Sequence, residues 1–375
     1  MLKTLLSWSL KLALVAIAIT WFPYTAEPPR WQTPRLEALN SASSGPANLL
    51  SVQPYLVPGD YVTPQNLYTR LQGYLQAARR EGWLTAQTIA VFPEHIGTWL
   101  VAAGGGVYAN HAPSTTLAMP PIILKHPLRF AKYLLAADEQ DPLAAAVFRS
   151  RAGEMAALYQ STFQTLAREF GITIVGGSIA LPAPRIQSGS IVVGEGPIFN
   201  SSFLFFADGR IAGPSLKQFP ITSELPFTAA AAGPVPVYQT PAGLLSVLIC
   251  ADSWYPQVWE EVRRSGAELV AVPSFSAPDN LWRQPWQGYN GAAAPADVNP
   301  AHVGTLTEGE AWLKYAFAGR SAGIHAGMNT FLRGDLWDLG DDGITTAVLN
   351  GRVVQGQPHD GPVLSSLWFD PRGGR

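Results

Sequence analysis

Cysteine is almost missing from this chain of 375 residues: there is one, Cys250. A lone cysteine excludes an internal disulfide framework and any thiolate metal cluster. Charge is scarce as well. Asp, Glu, Lys and Arg make up 14% of the chain, where a soluble domain ordinarily carries about a quarter. The formal net charge of −2 leaves no basic footprint for nucleic acid. The six histidines form no H-E-x-x-H or other close pair, so no metal is expected. Gly104–Gly106 lacks the strand-to-helix setting of a phosphate loop, and no other pattern calls for a cofactor.

What is present is turn-forming and aromatic. Gly 35 and Pro 32 imply many turns, and Trp 12 among so few charges implies extensive buried or membrane-facing surface. The first residues are apolar from 5 to 22, with Lys3 and Lys11 flanking and interrupting the run. That stretch is just long enough to span a bilayer, with Lys11 able to snorkel. A signal peptide fits less well, because Tyr24 lies where a small residue should precede the cleavage site. We therefore read 1–26 as a signal-anchor or transmembrane segment, and 27–47, rich in Pro, Ser and Ala, as a linker. The positive flank then predicts a single-pass protein of the cell membrane with its body outside the cytoplasm, or an exported one.

From residue 48 onward, strands and helices alternate, the mark of an α/β domain. Residues 48–54 read as a strand. Thr63 and Pro64 cap a helix carrying Leu67, Leu71 and Leu75 at helical spacing, and Gly82 ends it. Residues 88–92 form the next strand. A long helical pattern runs from Asp141-Pro142 to Gly171, followed by a strand over 172–179. Asp208-Gly209 marks a hairpin, as does Asn350-Gly351. The apolar run 244–249 reads as a strand buried on both faces. Cys250 ends it, and Pro256 suits the first turn of the next helix, which Gly266 stops. The thiol thus lies near helix N–H groups that favour a thiolate.

Glu94, Lys217 and Cys250 each follow an expected strand. Carboxyl ends of strands converge on the ligand crevice in α/β folds, so these three can meet. A carboxylate, an ammonium and a thiol make a workable acyl-transfer set. The carboxylate takes the thiol proton, the thiolate attacks a carbonyl or nitrile carbon, and the ammonium stabilises the oxyanion with the Ala251 N–H. A rival G-x-S-x-G pattern around Ser321, with Asp335, Asp338 or Asp341 and then His359 downstream, has its helix and strand in inverted order. Asn200-Ser-Ser202 fits a glycosylation acceptor.

The segments VFPE at 91–94, SLK at 215–217 and ICADSWYP at 249–256 resemble the carbon–nitrogen hydrolase (nitrilase) superfamily, and their order is the family's. The resemblance implies a four-layer α-β-β-α sandwich and a Glu94–Lys217–Cys250 triad working through a Cys thioester on a small amide or nitrile. It also implies that Glu224 positions the lysine and substrate, and that members pair into a homo-oligomer. Arg320 in FAGRSAG and the Asp252 and Pro256 spacing match family positions. Ala251 and Trp254 depart from the residues often found there, which bears on substrate positioning. The interval from Glu94 to Lys217 is longer than typical, so 97–160 reads as an insertion, as extra core or a lid. Two other functions fit the same residues. One is acyl transfer to an amine, as in the similar catalytic domain of apolipoprotein N-acyltransferase. The other is a catalytically silent, membrane-tethered binding module.

Overall fold

The computed structural model describes residues 31–373. It is a mixed α/β fold built on two large sheets. The first sheet runs in the order Arg35–Ala38, Val363–Phe369, Ala47–Gln53, Thr88–Val91, Thr173–Val175, Ile198–Phe205, Ile211–Leu216, with Ile179–Pro182 also on Ile198–Phe205. The second runs Val237–Thr240, Gly243–Val247, Leu269–Ser274, Ala326–Phe331, Thr346–Leu349, Arg352–Gln355.

Three apolar clusters explain how the layers hold together. Leu49, Ile89, Val91 and Leu204 of the first sheet pack against Leu245, Leu269, Ala271 and Met328 of the second. The outer face of the first sheet is covered by helices Pro64–Arg80 and Pro142–Phe170. The outer face of the second is covered by helices Pro256–Arg264 and Glu308–Tyr315. Strands with apolar residues on both faces cannot stand at a water boundary, which is why 88–91 and 269–274 read as continuous apolar runs.

Local signals mostly act as their chemistry requires. The Thr63 side chain accepts from Asn66 N, and Asp141 accepts from Ala144 N, each satisfying an orphan donor of the first turn. Gly171 (φ 68) closes the long helix in the left-handed region. Asn350 (φ 51) and Gly351 (φ 77) make the tight hairpin.

Several expectations change. The strand expected over 172–179 is split into Thr173–Val175 and Ile179–Pro182. Gly177 (φ 68) lies in the break, where a Cβ would collide with the Pro93 carbonyl oxygen. Within 27–47, read as a tether, Arg35–Ala38 forms an edge strand parallel to Val363–Phe369, and Trp31 packs on Tyr74 with ring centroids 5.0 Å apart. The membrane placement is corrected. Among the described residues no helix is long and apolar enough to cross a membrane. The hydrophobic N-terminal helix on which that placement and the membrane contact rested lies outside the described residues.

Candidate active site

The carboxyl ends of the strands do converge. Glu94 follows Thr88–Val91, Lys217 follows Ile211–Leu216, and Cys250 follows Gly243–Val247. All three are buried. Sequence reasoning places Cys250 near a helix start, and the structure sharpens this. Cys250 itself opens a one-turn 3-10 helix, Cys250–Trp254, before helix Pro256–Arg264 begins. Its φ of 48° is in the left-handed region, a conformation that costs a non-glycine residue about 1–2 kcal/mol. His95, directly after Glu94, is there too, at φ 61°. Such strain concentrates at functional sites because the surrounding structure must hold it.

Two strands of the second sheet bring the parts into register. Glu94 N donates to Ser274 O at 3.3 Å, which ties the end of a first-sheet strand to the end of a second-sheet one. The Cys250 thiol lies 3.7 Å from the carbonyl oxygen of the next residue, Phe275. Asp252 then binds the lysine loop to the cysteine turn. One carboxylate oxygen accepts from Gln218 N (2.9 Å) and Phe219 N (2.8 Å), and the other from Ile249 N (3.2 Å). Its spacing to the cysteine is visible in the sequence, but its reach to residues 218 and 219 is not. Burial pushes its carboxyl up to about 7, against Lys217 and these main-chain donors.

Around the lysine, charges are paired closely. Lys217 Nζ donates to Glu94 Oε1 at 2.7 Å and to Glu224 Oε2 at 2.5 Å. Asn200 Nδ2 donates to both carboxylates as well, at 2.9 Å to Glu94 and 2.8 Å to Glu224. Asn200 is buried with its amide thus engaged, so the folded protein cannot present it as a glycosylation acceptor. Sequence reading missed its place here, because nothing in the strand Ile198–Phe205 distinguishes an inward polar residue at a sheet end. His95 Nε2 lies 3.5 Å from Glu224 Oε1.

Electrostatics follow from this packing. Burial acts against the Lys217 ammonium, but Glu224 and Glu94 outweigh it and hold its pKa well above the ordinary lysine value. Burial would raise Glu224, but Lys217 and then His95 reverse this and hold it at about 2. The Cys250 thiol is pushed well up, first by burial and then by the Glu94 charge, with Lys217 opposing. The arrangement can therefore move a proton between a neutral thiol and a carboxylate beside a fixed ammonium. Glu94, His95 and Glu224 bring metal-ligating atoms within 4.8 Å of one another, but the ammonium already sits on both carboxylates, where a cation would bind.

These groups open onto a cavity of about 550 Å³. Ala251, Trp254, Tyr255 and Phe275 line it near the cysteine, and Trp99, Thr115, Met119 and Phe148 line it from within 97–160. Among the aromatics, Trp99, Trp254 and Trp286 line it, whereas Tyr108 and Trp282 do not. Trp254 stacks on Trp286 (5.8 Å between centroids) and meets Trp312 edge-on (5.0 Å). Arg320 pairs with Asp297 (2.9 Å) and reaches the Tyr289 hydroxyl (3.4 Å), bracing the same wall. Ser321 donates to Ala318 O, away from this cavity.

The family description carbon-nitrogen hydrolase matches residues 11–294, and the chain belongs to that family. Over 119 residues it is 29% identical to the probable hydrolase YhcX of Bacillus subtilis (strain 168), covering 31% of this chain and 20% of that protein. The chain thus spans about a fifth of the length of the curated relative it matches. Among solved structures, it is similar to a variant amidase from Nesterenkonia sp. AN1 that carries the acetamide moiety of fluoroacetamide on its active-site cysteine. That match has 18% identity and a TM-score of 0.52, over 88% of this chain and 92% of that one. A second variant of that amidase, described as from the nitrilase superfamily, is similar at 17% identity and TM-score 0.51, over 86% and 92%. At this identity the likeness speaks for the fold.

Proposed function

We propose that this protein hydrolyses a small amide or nitrile through a thioester on Cys250, with Glu94, Lys217 and Cys250 as the catalytic residues. The observation that carries the reading is the Lys217 ammonium held by Glu94 and Glu224 beside the only thiol of the chain. Glu94 takes the thiol proton as sulfur attacks the substrate carbon. The charge developing on the substrate oxygen or nitrogen is met by the Lys217 ammonium and the Ala251 N–H. For an amide, Glu94 returns the proton to the leaving amine, and the C–N bond breaks. Water then attacks the thioester, Glu94 takes its proton, and the acid leaves as sulfur regains a proton.

Glu224 and Asn200 are positioning residues that fix the lysine and Glu94. Ala251 and Trp254 shape the cavity beside the nucleophile. The hydrolase unit takes in the edge strand Arg35–Ala38 as well as the body from residue 48 onward, and 97–160 is an insertion that covers one side of the cavity. The lining by Trp99, Thr115 and Met119 supports this.

Cys250→Ser should lower turnover of an amide panel by roughly 10⁴-fold or more. Intact-mass trapping should find the acyl adduct on Cys250 in the native protein. Full activity in Cys250→Ser would remove the thioester. Acyl transfer to an added amine in preference to water would identify an N-acyltransferase built on the same residues.

A further inference from the structure

One carboxylate of the cavity has no part in the chemistry above. Glu308, at the first turn of helix Glu308–Tyr315, lines the cavity with Trp254, Trp286 and Trp312. Its side chain accepts from Trp312 Nε1 at 3.1 Å, and among the described residues no basic side chain pairs with it. The only lysine or arginine lining the cavity, among the described residues, is Lys217, already bound to Glu94 and Glu224. The cavity therefore holds three carboxylates, Glu94, Glu224 and Glu308, against Lys217 and His95. A carboxylate substrate would be repelled by that balance.

Resting on the hydrolase reading above, we propose that the Glu308 side of the cavity recognises a cationic group, an ammonium or quaternary ammonium, carried by the amide substrate. Glu308 supplies the counter-charge, and Trp254, Trp286 and Trp312 supply ring surface, to which a desolvated cation is attracted through the ring quadrupole. The same aromatic wall without Glu308 would suit a neutral apolar group equally well. The unpaired carboxylate is what tips the choice. Burial holds Glu308 up at about 7, with Asp342 adding to it; a cation bound beside it relieves that cost. A carboxylate at a helix start is also stabilised by the helix itself, so the test has to separate recognition from folding.

The probes are amides with a terminal trimethylammonium group, in increasing chain length, each beside its neutral tert-butyl isostere. In the native enzyme, kcat/KM should favour the best cationic amide over its isostere by about tenfold or more, as a cation–π contact joined to a counter-charge allows. Glu308→Gln should bring that ratio close to one, while its unfolding midpoint reports any loss of fold. Binding of each pair to Cys250→Ser by calorimetry reads the same preference without turnover. Equal or better use of the neutral isosteres by the native enzyme, or a preference unchanged in Glu308→Gln, would overturn the proposal. Cationic preference in binding together with undiminished turnover in Cys250→Ser would instead refute the thioester and leave the recognition standing.

Discussion

Cys250 is held in an unfavourable backbone conformation and in an unfavourable ionic environment at once. Burial and the Glu94 charge both raise its thiol, so the mechanism proposed above starts from a neutral thiol whose proton passes to Glu94. The sign of the Glu94 effect yields a sharp expectation. Glu94→Gln removes a negative charge that disfavours the thiolate and leaves Lys217, which favours it. The pH profile of Cys250 alkylation by iodoacetamide should therefore move to lower pH in this variant, even as amide turnover falls by at least about 10²-fold for want of the acid–base group. A profile moving to higher pH would mean that Glu94 acts on the thiol mainly by holding Lys217 beside it. The residue scale is also where the sequence is most legible. Glu94, Lys217, Glu224 and Cys250 are each readable because they punctuate strand ends or match family motifs. Asn200 and His95 are not, since their neighbours are ordinary for a buried strand and a turn.

At the scale of elements, the site depends on a stitch between two turns. Asp252 joins the residues after Lys217 to the end of the strand that carries Cys250. Asp252→Ala leaves the Ile249, Gln218 and Phe219 N–H groups without that acceptor, and each unmet buried donor costs about 1–3 kcal/mol. Urea denaturation should show a loss of at least about 2 kcal/mol, with kcat falling more than KM rises, because the lysine loses its register with the thiol. A loss of stability with kcat unchanged would mean that Asp252 supports the fold alone. The segment 97–160 teaches a related lesson. Helix Pro127–Ala136 buries none of its residues, with Leu128 and Leu135 exposed, whereas helix Thr115–Lys125 tucks Ala118 and Ile122 inward and turns Met119 to the cavity. Apolar spacing announces a helix, but which face finds a partner depends on elements distant in the chain, here Asp338, whose carboxylate accepts from Thr115 N.

For the whole molecule, the seam between the sheets decides whether a site exists. Glu94 leaves one sheet and Cys250 the other, and their separation is set by side chains such as Leu49, Leu269 and Met328. Met328→Ala in that layer should destabilise the protein by about 2–5 kcal/mol. The activity that remains should fall further than the folded fraction does, as measured by thermal unfolding beside kcat; activity tracking the folded fraction alone would mean that the seam only supports the site. By itself, the sequence determined the mixed α/β class, the turns, the helix caps and the identity of the three convergent groups, because these follow from periodicity, backbone preference and motif chemistry within short windows. Only the tertiary structure decided that Asn200 bridges two carboxylates, that Asp252 reaches across 33 and 34 residues to Phe219 and Gln218, and that Glu308 faces the cavity beside Trp312. The reason is physical: the environment of a buried charge is made by whatever packs against it, and in a two-sheet fold those neighbours come from strands far apart in the chain.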